Sequence, residues 1–334
     1  MTKKVLILKN DRTGDLFVSL KAINRIINKH TNQDIIIFLS NINHKFNFLF
    51  PSIQKKIISM DLILIEKIKI FFYILTNKID TIYILAPKNF YYYLPIFFRK
   101  IKFYAITIKS HRNRPNQFLL KYLFKYSVLD RKKIKKRKSS YVIQEDLIEF
   151  TSDINNLSNN ANITHKFDYP KNYVFFHYKH TFFNKLLKWD LDTVSKLLDY
   201  LSTKYDNVIF SSELFNENIN NYFLNKYNNY NFDYQKKNIV NDKNIYFLKD
   251  VDGNNLFDAV KKSSKIISPE GIITHMGYYL KKSVLALMHF NLKDNKDFVS
   301  QIISCKEWFP PSNYEYTVLK KNFKRSLEKL KKRI

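Results

Sequence analysis

The chain has 334 residues, 45% of them hydrophobic, and carries 57 Lys and Arg against 29 Asp and Glu, a formal charge of +28. That length suits two domains, and that apolar content excludes a globally disordered chain. Heavy use of Lys, Asn, Ile, Phe and Tyr matches an AT-rich coding bias, but the shortfall of acids does not follow from it and favours an anionic partner: nucleic acid, an acidic membrane face or a phosphorylated substrate.

In chain order, Val5 to Leu8 reads as a fully buried first strand rather than a signal peptide, because its apolar run is only four residues long. The loop Lys9 to Gly14 follows, and from Asp15 the spacing of Leu16, Leu20, Ile23, Ile26 and Ile27 predicts a helix. Asp15 then lies near a helix N-terminus, where the dipole favours a carboxylate or where it simply caps the helix. Ile35 to Leu39, Thr81 to Leu85 and Phe103 to Ile106 read as further strands, with a helix over Leu64 to Thr76. The apolar stretch Leu62 to Leu75 contains Glu66, Lys67 and Lys69, so it is too short and too charged to span a bilayer. A first basic patch holds Lys109, His111, Arg112 and Arg114, and a second runs from Arg131 to Lys138. Such runs are solvated surface, or contacts for an anionic acceptor or anionic lipid. Ser152 to Asn162, polar and Asn-rich, reads as a linker. Domains are expected over 1–160 and 161–320, with a basic helix over 321–334 packing back on the first domain.

The second half repeats the alternation: strands at Tyr173 to Phe176, Val208 to Phe210 and Ile245 to Leu248, and helices at Trp189 to Leu201 and Leu256 to Lys262, the latter entered through Asp252-Gly253-Asn254. Asn216 to Asn231 is a polar helix or loop. Then come a strand at Lys265 to Ile267, the loop Ser268 to Gly277, a helix from His275 to Lys281 and a strand at Ser283 to Met288. This is the grammar of a parallel α/β sheet. The chain holds four glycines, at 14, 253, 271 and 277. So few suggests that those present supply a positive φ or a close approach. A loop ending on a helix N-terminus suits a diphosphate. Asp15 and this loop both follow strand ends, in different halves, and a ligand cleft between two α/β domains is expected.

Lys9-Asn10-Asp11-Arg12-Thr13-Gly14-Asp15, between a strand and a helix, resembles the N-terminal signature of the ADP-heptose:lipopolysaccharide heptosyltransferase family (glycosyltransferase family 9). Ser268 to His275 resembles that family's Asp-Thr-Gly-x-x-His donor motif, with Glu270 for the Asp, Gly271 for the Thr and Ile272 for the Gly. Lys188-Trp189 resembles its Lys-x-Trp-Pro entry to the second domain, with Leu187 at the usual lysine position and Asp190 at the proline. The resemblance implies a GT-B fold of two Rossmann-like domains and inverting transfer of a heptose or related sugar from a nucleotide sugar such as ADP-heptose, with no metal or other cofactor. It implies Asp15 as general base. On the donor side it implies Glu270, Gly271, Ile272, Thr274 and His275 at the diphosphate and Glu213 at the ribose or base. Lys185, Lys188 or Lys179 then reaches the phosphates, and Thr181 adds a contact. Acceptor-side candidates are Arg12, Thr13 and Gly14 with Lys109, Arg112 and Arg114. The implied acceptor is lipopolysaccharide core or another anionic surface glycan, met in the cytoplasm or at the inner face of the bacterial inner membrane.

Several alternatives stand beside this reading. His275 is also a satisfied structural residue at a helix start, and Glu270 a loop cap. His177 and His180, three apart after a strand, are weak metal ligands without a nearby carboxylate. Cys305 stands alone, so no intrachain disulfide and no cysteine zinc cluster forms. A family-9-like transferase with another nucleotide sugar fits the altered donor motif, and a non-catalytic relative is a further possibility. A basic nucleic-acid-binding protein fits the charge and the 29 Phe and 23 Tyr, but the basic runs are not interleaved with aromatics.

Overall fold

The computed structural model describes residues 3–107, 128–130, 144, 148, 169–212, 217–230, 244–249, 251–289, 309–311 and 314–334. The basic runs at 109–114 and 131–138, the linker at 152–162, Glu213 and Cys305 lie outside them. The chain divides into two compact units, Met1–Asn162 with Lys306–Pro311 and Ile163–Cys305 with Ser312–Ile334.

The first unit is a parallel sheet of β1 (Lys4–Lys9), β2 (Asp34–Ser40), β3 (Gln54–Ile58), β4 (Ile79–Ile84), β5 (Lys102–Thr107) and β6 (Val128–Asp130), in the order β3-β2-β1-β4-β5-β6. Apolar runs on both faces of β1, β2 and β4 are buried because helices cover the sheet from either side. Helix α1 (Thr13–Lys29) buries Leu16, Leu20, Ile23 and Ile26, and Asp15 is its third residue, after Arg12 as N-cap. Helices α2 (Leu64–Thr76) and α3 (Asn89–Phe97) pack Ile70, Ile74, Tyr91 and Leu94 on Leu6, Ile36, Ile82 and Ile84.

The second unit is a parallel sheet of β7 (Tyr173–Tyr178), β8 (Asn207–Ser212), β9 (Asn228–Tyr230), β10 (Ile245–Leu248), β11 (Lys265–Pro269), β12 (Ser283–Met288) and β13 (Tyr314–Val318), ordered β13-β12-β11-β7-β8-β10-β9. A π-helical turn (Thr181–Leu186) leads to α4 (Leu191–Ser202), followed along the chain by α5 (Glu217–Lys226), α6 (Gly253–Lys262), α7 (Ile272–Tyr279) and α8 (Phe323–Lys331). Two parallel α/β sheets confirm the expected α/β class.

Asp190, where the resemblance expects proline, caps α4 by accepting from the Thr193 N–H at 2.8 Å, and hydrogen bonding from the Thr193 side chain and then its backbone holds the carboxyl below the usual range. The C-terminal helix, expected to pack back on the first domain, contributes to the second unit's own core. Leu330 of α8 is fully buried in the second unit's core, Phe323 meets the Trp189 ring edge-on at 5.1 Å, and the Trp189 Nε1–H donates to the Lys321 carbonyl at 2.8 Å. Its apolar face is thus taken up by the core of the second unit.

Gly277, in the middle of α7, carries the close approach expected of the scarce glycines. A Cβ there would stand 2.4 Å from Ile266 Cδ1 and 2.7 Å from Val284 Cγ2, on the two strands beneath. Gly277→Ala must push α7 off β11 and β12. It is expected to cost about 1–3 kcal/mol, read as a lowered Tm in thermal unfolding. Gly14 has a different reason to be present, since it lies inside the regular first turn of α1.

Candidate active site

In an open parallel sheet, ligands bind where neighbouring strands send their connections in opposite directions, at the strands' carboxyl ends. The strand orders place that point between β1 and β4 in the first unit and between β7 and β11 in the second. Both sequence signatures fall there.

In the first unit, Lys9, Asn10 and Asp11 leave β1 beside Leu85 and Ala86, whose N–H groups donate to the Leu8 carbonyl. Lys9 is 1% exposed, and its Nζ donates to Asp11 Oδ2 at 2.7 Å and to the Leu85 carbonyl at 3.4 Å. Burial pushes the Asp11 carboxyl up to about 6 against the opposing pull of Lys9, and Asp15 raises it further. Asp11 Oδ1 is buried with no hydrogen-bond partner among the described residues. The Asp11 carbonyl accepts from Ser40 Oγ at 2.7 Å, the Lys9 carbonyl accepts from Asn43 Nδ2 at 2.8 Å, and Asn10 Oδ1 accepts from the Tyr91 hydroxyl at 2.7 Å. These bonds hold the loop rigid. Asp15 is half-buried in the first turn of α1, and its carbonyl accepts from Ser19 Oγ at 2.9 Å. Lys88, after β4, donates to the Met60 carbonyl. Burial pulls its ammonium down, and Asp11, Asp61 and Asp15 pull it up. The arrangement therefore holds a half-buried carboxylate among a buried Lys–Asp pair and a second lysine. Of the acceptor-side candidates, Arg12 is exposed and Thr13 and Gly14 are half-buried beside Asp15, whereas Lys109, Arg112 and Arg114 lie outside the described residues.

In the second unit, Glu270 and Gly271 link β11 to α7. Gly271 has φ +152°, a region that only glycine occupies without strain, and it is the N-cap of α7. The helix begins at Ile272, three residues before the expected start, so His275 lies within its first turn. Thr274 is fully buried. Its hydroxyl donates to the Gly271 carbonyl at 2.7 Å and accepts from the Gly271 N–H at 3.2 Å, so it shapes the loop. His275 Nε2 lies 3.5 Å from Glu270 Oε1, and this contact holds the Glu270 carboxyl below its ordinary range. Lys179, at the end of β7, reaches the same loop. Its Nζ is 3.4 Å from the Glu270 carbonyl and 3.5 Å from where a Gly271 Cβ would stand. A helix N-terminus, a glycine without a side chain and an ammonium together make an anion cradle.

Thr181, Lys185 and Lys188 are exposed on the π-helical turn and just beyond it, and Lys188 has φ +61°. Of the three candidate lysines, Lys179 is the one that lies at the loop. His177, half-buried near the end of β7, has its Nδ1 paired with Ser211 Oγ at 2.9 Å, and burial lowers its pKa to about 3. His180 is held near the Tyr178 hydroxyl at 3.3 Å. Among the described residues, no three His, Cys, Asp or Glu side chains come together as metal ligands. Sequence reasoning missed Asp11 and Lys9 as a buried pair. The one available signal was a Lys and an Asp two apart at the end of an apolar strand.

No family model matches this chain, and no curated protein matches it in sequence. Solved structures do. The heptosyltransferase WaaC of E. coli with ADP-2-deoxy-2-fluoro heptose aligns at TM-score 0.62 and 9% identity, covering 99% of each chain. A glycosyl transferase family 9 protein of Veillonella parvula aligns at 0.61 and 13% identity, over 99% of this chain and 90% of that one. A UDP-GlcNAc 2-epimerase of Methanocaldococcus jannaschii aligns at 0.55 and 16% identity, over 98% and 92%. Over nearly its full length, the chain has the GT-B fold of two Rossmann-like units that these glycosyltransferases and this epimerase share.

Proposed function

We propose that the protein is a glycosyltransferase of the family 9 type that moves a heptose or related sugar from a nucleoside diphosphate to a hydroxyl of an anionic surface glycan. The observation that carries this reading is the anion cradle at Gly271, where the start of α7 and Lys179 meet at the second unit's switch point. The fold likeness to a heptosyltransferase with an ADP-heptose analogue supports it. The Ile272 and Ile273 N–H groups and Lys179 hold the diphosphate, while Thr274 keeps the loop in shape. Asp15 takes the proton of the acceptor hydroxyl. The freed oxygen bonds to the anomeric carbon, the carbon–oxygen bond to the diphosphate breaks, and its electron pair leaves with the nucleotide. Cationic and N–H stabilisation of that leaving group lowers the barrier, and no metal or cofactor enters this scheme. Glu270 in place of the family's aspartate favours a second reading, a transferase of the same type with another nucleotide sugar.

Calorimetric titration with ADP, UDP, GDP and CDP tests both. Selective binding of ADP supports the first reading and selective binding of another diphosphate the second. Gly271→Val, which forces a β-branched side chain to φ +152° beside Lys179, is expected to weaken that binding at least about tenfold. Failure of all four to bind at millimolar concentration overturns the donor site.

A further inference from the structure

Ten of the twelve large apolar side chains that stand exposed among the described residues lie between Ile57 and Phe97. They are not scattered. On α2, Leu64, Ile65, Ile68, Phe72 and Leu75 are each 46–71% exposed and recur at helical spacing, so they form one stripe. Ile70 and Ile74 point the other way and fill the core. The helix is thus apolar on two opposite faces, a pattern expected of a helix buried all round, yet among the described residues one of those faces stands exposed. Tyr93, Ile96 and Phe97 of α3 stand exposed next to it. Ring contacts of Phe71 with Phe97 at 5.5 Å and with Phe98 at 4.9 Å join the two helices, so the patch is continuous.

The charges around it are mostly basic, with Asp61 exposed just before α2. Residues 54–102 hold nine Lys and Arg and three acids. Glu66 is turned back to accept from the Ser59 N–H at 2.8 Å, and Asp80 is paired with Lys3 at 3.8 Å. Lys69, Arg99 and Lys100 are exposed beside the stripe, and Lys67 is half-exposed.

We infer that the outer face of α2 and α3 is a membrane-docking surface that inserts shallowly into an anionic lipid bilayer. At 13 residues α2 is about 20 Å long, short of a hydrocarbon core of about 30 Å. It therefore lies in the interface plane with its apolar stripe toward the acyl chains and its lysines at the headgroups. Fluid hydrocarbon covers an exposed apolar stripe without needing a matching groove. Two copies set face to face would oppose their basic rims. The segment that is too charged to span a bilayer has the composition to lie on one. This inference is independent of the transferase reading, since lipid binding needs neither donor nor acceptor.

The test is co-sedimentation of the full chain with vesicles of phosphatidylethanolamine and phosphatidylglycerol, against vesicles of phosphatidylcholine alone. Wild type is expected to bind the anionic vesicles and to retain part of that binding in high salt. The triple variant Leu64→Gln, Phe72→Gln, Leu75→Gln is expected to lose at least about tenfold in partitioning. Lys67→Glu with Lys69→Glu is expected to lose the preference for anionic lipid. Phe72→Trp, a milder change, is expected to gain a blue shift of emission on the anionic vesicles that wild type does not show. No vesicle binding by wild type, binding unchanged in the triple variant, or no blue shift overturns the inference. So does a wild-type dimer in solution that the triple variant dissociates, which makes the face an interface between copies.

Discussion

Asp15→Asn is expected to lower kcat by about 10²–10⁴-fold, the range in which a positioned general base contributes. Unfolding and diphosphate binding should stay near wild type. The amide has nearly the shape of the carboxylate and can occupy the same half-buried position in the first turn of α1. It cannot take a proton from an acceptor hydroxyl. The measurement is turnover of the sugar nucleotide whose diphosphate the titration selects, set beside the calorimetric Kd of both proteins. A fall in kcat with an unchanged Kd assigns Asp15 to the chemical step. Equal loss of Kd and thermal stability would instead make it a helix-end residue whose removal disturbs the fold.

The second large effect concerns Lys9. Its ammonium is 1% exposed and is matched by one carboxylate, Asp11, at 2.7 Å. Removing one partner of a buried pair strands the other, at about 3–5 kcal/mol. Lys9→Met should therefore lose stability of that order in urea unfolding at pH 8. At pH 5 the loss should be smaller. Burial already holds the Asp11 carboxyl at about 6 with Lys9 present, above the unfolded value of about 3.9. A group shifted upward contributes stability that is complete below about pH 4 and disappears as pH rises through about 6. Without Lys9 that titration moves higher still, so at pH 5 the variant holds Asp11 neutral and strands no charge. An equal loss at both pH values would mean that packing of the lysine stem, not its charge, is what the site needs.

The sequence by itself determined the elements whose identity is a local property. Period-2 and period-3.6 patterns are set by neighbours along the chain, and so Leu64–Thr76, Ile245–Leu248 and Ser283–Met288 are observed with the bounds that their patterns predict. The two strand–loop–helix signatures were legible in type and place, because a loop between a buried strand and a helix in a parallel sheet has one place to go, the strand's carboxyl end, but their helices begin at Thr13 and Ile272, before the expected starts at Asp15 and His275. Strands β3 and β13 were not legible. Their sequences, QKKII and YEYTV, have no continuous buried run. Each pairs with one neighbour at the edge of its sheet, and that pairing makes it a strand.

Only the tertiary structure decided which distant residues meet. Lys179 reaches Gly271 because β7 lies next to β11, a consequence of strand order that no local pattern encodes. Lys9 reads as a loop lysine, and it is buried because β4 places Leu85 over it. Thr274 has the composition of a phosphate contact, but its hydroxyl bonds to the Gly271 carbonyl and N–H of its own loop. The apolar content of α2 was evident from the chain. That half of it faces the core and half faces outward follows from where the helix sits on the sheet, since one helix can bury only one face against one layer.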